Sequence, residues 1–167
     1  MKKILLSMVV LAAIALIPTS VNAQTESVAA GASIIAPISI SETAALHFGT
    51  IAKDADGGSV VLSAAGVRTP TGLTLSTGTP TASAAAFSVG GESGLSYVIT
   101  LPSAPITITH SGGAGTGTMS VGTFTSDIAG GVIGTDDTFS VGATLTVGAD
   151  QATGTYSGTF NVSIAYN

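Results

Sequence analysis

The sequence contains no cysteine and no tryptophan, and Lys, Arg, Asp and Glu together make up only 8% of its 167 residues. Without cysteine there is no disulfide, no thiolate metal site and no lipidated N-terminal Cys, so the fold must rest on its own packing. Basic residues number four: Lys2, Lys3, Lys53 and Arg68. So little positive charge against nine acidic residues repels a phosphate backbone or an anionic headgroup, which argues against nucleic acid and anionic lipid as partners. After the first twenty or so positions, no apolar stretch approaches the ~18 residues of a membrane helix.

The start of the chain reads as a secretory leader. Lys2 and Lys3 precede an apolar run at 4–17, and the polar segment 18–23 ends in the small-residue pattern Val21-Asn22-Ala23. The expected cut lies between Ala23 and Gln24, which sends the mature chain to the periplasm, cell surface or medium of a Gram-negative bacterium. The mature chain, 24–167, is one domain of 144 residues (167 − 23), enough for a single hydrophobic core. Its two basic residues face nine acidic ones, a net charge of −7 that favours solubility.

All 22 glycines and 41 Ser or Thr residues lie in that domain. The scarcity of Lys, Glu, Arg and Leu argues against helices, whereas Thr, Val and Ile with frequent Gly suit strands and turns. Strands are expected at 32–41, 46–53, 59–65, 73–77, 85–90, 95–101, 105–110, 118–125, 138–148 and 155–166. Turn signals fall at Asp56-Gly57-Gly58, Gly90-Gly91, Ser111-Gly112-Gly113 and Gly130-Gly131. Pro37 marks the first strand as an edge or a bulge.

Two segments alternate most regularly. At the C-terminus, Tyr156, Gly158, Phe160, Val162, Ile164 and Tyr166 share one parity, while Thr155, Ser157, Thr159, Asn161, Ser163 and Ala165 share the other. Period two over twelve positions predicts one long strand with a buried face. In 138–148, Phe139, Val141, Ala143, Leu145 and Val147 point inward, and the two strands are expected to form the centre of the sheet system, joined through 149–153. The fold class is therefore all-β, an immunoglobulin-like or pilin-like antiparallel β-sandwich. Phe48, Phe87, Tyr97, Phe124, Phe139 and Phe160 would fill its interior.

The succession LHFGTI (46–51), GGSVVLS (57–63), VGATLTV (141–147) and GTYSGTFNVSIAY (154–166) resembles a secreted bacterial family known as domain of unknown function 4402. That resemblance implies no catalytic residue. A more distant one is to subunits of chaperone–usher pili, which carry a glycine fourteenth from the C-terminus and a penultimate tyrosine, here Gly154 and Tyr166. It implies a sandwich lacking one strand, filled first by a periplasmic chaperone and then by the N-terminal extension of the next subunit. Phe160, Val162, Ile164 and Tyr166 would then line one wall of the acceptor groove. Val28, Ala30, Ala32 and Ile34 share the parity a donor strand needs, although their two alanines are small anchors and no disulfide is present.

Signals for chemistry are sparse. His47 and His110 are distant and have no cysteine beside them; His47 is expected on a solvated strand face and His110 beside a turn. Asp54-Ala55-Asp56-Gly57 has the opening of a calcium loop, but its twelfth position is Ala65, so a hairpin turn accounts for it better. Asp127, Asp136, Asp137 and Asp150 read as solvated loop acids, with weak calcium binding left open. No G-x-S-x-G elbow occurs, and Gly112-Gly113-Ala114-Gly115-Thr116-Gly117 has no P-loop lysine. No catalytic residue, metal site or cofactor is assigned. The expectation is a non-enzymatic exported structural or adhesive protein, a fimbrial-type subunit whose partners are other copies of itself or a periplasmic chaperone. Two readings stand beside it: a self-contained monomeric binding module, and a small outer-membrane β-barrel, against which short strands and the lack of two aromatic girdles count.

Overall fold

The computed structural model describes residues 22–52, 54–111, 117–135 and 137–167. The expected leader, apart from its last two residues, Lys53, the glycine-rich tip 112–116 and Asp136 lie outside the described residues. The chain divides into two units, Met1–Ile34 and Ile35–Asn167. In the first, residues 22–34 carry no strand and are exposed throughout.

In the second, the described residues form strands and no helix. The strands are β1 (Ser39–Ala44), β2 (Gly58–Leu62), β3 (Arg68–Thr71), β4 (Ala85–Gly90), β5 (Ser96–Thr100), β6 (Ile106–His110), β7 (Thr118–Ser126), β8 (Gly130–Val132), β9 (Asp137–Val147), β10 (Tyr156–Ser157) and β11 (Ser163–Tyr166). Every pairing is antiparallel. One sheet runs β1-β4-β9-β7-β6-β10, with β2 also on β9 and β3 on β2; the other runs β11-β5-β8. Neither closes on itself, and the whole is an antiparallel β-sandwich.

The organising element is β9, because its alternation buries Phe139, Val141, Ala143, Leu145 and Val147. One edge pairs with β7; the other is shared, β4 matching 137–141 and β2 matching 143–147. Gly142 sits at the changeover, where a Cβ would overlap the Leu62 carbonyl and the Ser63-Ala64 backbone, so only glycine lets the chains approach this closely. The core accordingly has two parts. The first unites Ala85, Phe87, Val89, Phe139 and Val141 with Tyr97 of the second sheet and Ile133 just past it, and Phe87 stacks on Phe139 at 5.1 Å. The second holds Val60, Leu73, Val121, Ala143, Leu145 and Val147, covered by half-buried Phe48, Ile51 and Leu75 instead of a second sheet.

Several expectations need correction. The C-terminal stretch is two short strands on different sheets, each at an edge, and not one central strand paired to β9. Its parity holds nonetheless: Tyr156, Phe160, Val162, Ile164 and Tyr166 are half-buried and their odd-numbered neighbours exposed, Gly158 being the exception. The first strand begins only at Ser39, after Pro37, and lies at a sheet edge. Where strands were expected at 46–53 and 73–77, the described residues form only isolated bridges, His47 to Ser83 and Ile51 to Leu75, and the Arg68 guanidinium bonds the carbonyls of Phe48, Thr50 and Ser76. Gly130-Gly131 belongs to β8, packed so tightly on Tyr97 that the glycines serve contact, not turning. β3 is a further strand whose sequence, RTPT, carries a proline and so lacks a strand pattern; it is an outer strand, where the missing N–H is tolerated.

Phe139→Ala should cost roughly 3–5 kcal/mol in urea denaturation, as a fully buried aromatic. Half-buried Phe160→Ala should cost less, and exposed Thr159→Ala no more than about 0.5 kcal/mol. Equal losses at 159 and 160 would contradict the facing of this segment.

Candidate functional site

The C-terminal segment changes sheet, and proline is the reason. In the register of β11 with β5, Ser163 faces Thr100 and Ala165 faces Val98, so the next hydrogen-bonded pair would join Asn161 to residue 102. That residue is Pro102, which has no N–H to donate, and the ladder stops. On the other side, β10 ends with Ser157 opposite Thr109. Residues 158–162 thus cross between the sheets with no backbone–backbone hydrogen bond among the described residues. Phe160 is held there by Phe124 at 4.8 Å. A bulge in β7 between Gly122 and Thr125, with Thr123 at φ 49°, brings Phe124 into that position.

Beside this crossing lies a groove of about 590 Å³. Ile106, Ile108, Met119, Val121, Leu145 and Val147 contribute from β6, β7 and β9; Leu46 to Ala52 line it as one strap, and Gln151 to Gly158 with Phe160 as another. Gly154, at φ 148°, must be glycine because a Cβ would overlap the His110 ring. The Tyr156 hydroxyl donates to the Ala152 carbonyl at 2.7 Å and accepts from Gln151 Nε2 at 2.9 Å, and its ring meets His110 edge-on at 5.1 Å. Of the six C-terminal candidates, Gly154, Tyr156 and Phe160 line the groove, while Val162, Ile164 and Tyr166 pack on the inter-sheet core beyond it.

Tyr166 closes a ring of three hydrogen bonds. Its hydroxyl donates to the Ala36 carbonyl at 2.8 Å and accepts from the Glu92 N–H at 2.7 Å, while the Glu92 carboxylate accepts from the Ala36 N–H at 3.1 Å. Gly91 permits this, since a Cβ there would stand 2.5 Å from the hydroxyl oxygen.

Three contributors carried no signal in the pattern of apolar residues. Arg68 donates to the carbonyls of Phe48, Thr50 and Ser76 at 3.2, 3.2 and 3.0 Å, and the Thr50 hydroxyl to Thr79 at 3.3 Å. Gln151 joins them through Tyr156. His47 is half-buried in the groove lining and not on a solvated face; its Nδ1 accepts from the Gly49 N–H at 2.8 Å. His110 Nε2 lies 3.1 Å from the Thr153 carbonyl, and its Nδ1 is buried with no hydrogen-bond partner. The acidic turns cap backbone: Asp54 accepts from Asp56 N–H, Asp127 from Ser140 N–H and Asp137 from Gly134 N–H. Among the described residues no three potential metal-binding side chains come together, and no helix is long and apolar enough to cross a membrane.

A family model described as a domain of unknown function, DUF4402, matches residues 38–166. The chain belongs to this family. The DUF4402 match runs from just before β1 to the end of β11, so groove, crossing and Tyr166 are all parts of the family domain. No curated protein and no solved structure gives a significant match to the chain.

Tyr166→Phe, which keeps the ring and removes two hydrogen bonds, should lower stability by about 1–2 kcal/mol in chemical denaturation. Burial, and then the charges of Asp137 and Asp127, raise the Tyr97 hydroxyl above its ordinary pKa. The folded state therefore keeps a proton that the unfolded chain releases, and stability should fall as pH rises past about 10. In Tyr97→Phe that part of the alkaline loss should vanish from urea midpoints compared at about pH 9 and about pH 11.

Proposed function

We propose that this DUF4402 chain is a non-enzymatic, exported structural or adhesive protein, a fimbrial-type subunit that assembles by β-strand addition. The observation that carries this reading is the groove beside an unpaired crossing segment. Residues 158–162 offer backbone groups outside any ladder, and half-buried Phe48, Ile106, Ile108, Met119 and Phe160 offer apolar surface next to them. An extended strand laid there would gain hydrogen bonds from the first and apolar contact from the second, the two sources of affinity in strand addition. The partners are a second copy of the chain or a periplasmic chaperone. Within a second copy the donor is the stretch holding Val28, Ala30, Ala32 and Ile34, which is exposed and without a strand of its own; Val28 is 85% and Ile34 97% accessible.

One observation favours the self-contained binding module instead. The Tyr166 ring ties the start of the folded unit, the β4–β5 turn and the last strand together within one chain. Size-exclusion chromatography separates the readings. Residues 24–167 produced without a chaperone should run as oligomers that give ladders in mild denaturant, and deletion of 24–31 should remove those ladders. A stable monomer from the intact 24–167 form would remove the strand-addition reading.

A further inference from the structure

One wall of the groove is held in an unusual way. Residues 46–52 make only two isolated bridges, His47 to Ser83 and Ile51 to Leu75; the second already places the Ser76 N–H on the Thr50 carbonyl and the Ala52 N–H on the Thr74 carbonyl, so Phe48 and Gly49 are the part of the wall without a ladder bond. The Arg68 guanidinium spans that gap. Its Nη1 donates to both Phe48 and Thr50 carbonyls, and its Nη2 to Ser76, so one side chain ties the wall to the 74–78 segment outside it. Gly49 lies against the same group: it has φ 75°, and a Cβ would stand 2.8 Å from Nη1. A planar fork with donors on separate nitrogens can serve three carbonyls in this spread; a lysine ammonium concentrates its donors on one atom.

We infer that Arg68 is the positioning residue of the groove, holding the 46–52 wall at the width an incoming strand meets. Phe48 and Ile51 cover the second part of the core from that wall, and their backbone positions follow the carbonyls that Arg68 holds. Loss of the guanidinium leaves the bridges at 47 and 51 in place, with Thr50 still bonded to the Ser76 N–H, and frees Phe48 and Gly49 between them. The groove then opens and closes on its own, and a bound strand is released faster. The consequence for strand release rests on the strand-addition reading; the hold on the wall does not.

Hydrogen–deuterium exchange on the 24–167 form of wild type, Arg68→Met, Arg68→Lys and the control Thr69→Ala, exposed on the same strand, tests the inference. Exchange at the Gly49 amide, bonded within the wall to His47 Nδ1, should accelerate at least ~10-fold in Arg68→Met and by an intermediate factor in Arg68→Lys, while the Ala52 amide of the remaining bridge and the 139–145 amides of β9 stay at wild-type rates and Thr69→Ala changes none of them. Unchanged exchange at the Gly49 amide, or an equal rise over the whole chain, would overturn it. Arg68→Lys serves alone if Arg68→Met does not fold. In a second arm, preformed ladders should dissociate several-fold faster in mild denaturant when built from the Arg68 variants. Wild-type rates from variants whose wall exchanges fast would overturn the control of release. If wild type forms no ladders, the strand-addition reading falls and the exchange arm alone decides the role of Arg68.

Discussion

Everything in this sandwich hangs on the limited number of edges that one strand possesses. β9 has two, and three strands use them: β7 along one, β2 and β4 in succession along the other. Handing an edge from one strand to the next requires the chain to pass within contact of the β9 backbone, and Gly142 provides that clearance. The division of labour then continues into the core. The half of β9 paired with β4 faces the second sheet and is sealed by Tyr97 and Ile133; the half paired with β2 is covered by the strap at 46–52 together with Leu73 and Leu75, and borders the groove.

The groove exists because the C-terminal segment leaves one sheet before it joins the other. Pro102 stops β11 pairing on one side, and the path over Gly158, whose Cβ would stand 2.8 Å from an Ile108 methyl, brings the chain tight against β6 on the other. Between those limits Phe160 is anchored by Phe124 through the β7 bulge, while the backbone around it goes unpaired. An unpaired backbone next to apolar side chains is the arrangement that protein edges ordinarily conceal.

Local pattern made much of this legible. The period of two in 138–148 located the most buried strand and each of its inward residues, and β4, β5, β6 and β7 fell within one residue of their expected bounds. Parity at the C-terminus named which side chains turn inward, with exposed Gly158 as the exception. The site was less legible because its chief organiser is polar. Arg68 acts on carbonyls 18 and 20 residues earlier in the chain, and no apolar periodicity encodes a side chain that replaces a ladder. The clasp at Tyr166 links residues 130 apart, a distance at which local sequence carries no geometry.

The sequence alone determined the class and the facing: absent cysteine, scarce charge, abundant Gly, Ser and Thr, and alternating Val, Ile and Phe permit an all-β core and little else. Alternation sets which side of a strand is buried, because successive side chains must point to opposite faces. It does not set which edge finds a partner. Backbone hydrogen bonds are indifferent to side-chain identity except at proline and glycine, so the split of β9 between β2 and β4, the change of sheet after Ser157 and the open groove were decided only when the whole chain packed.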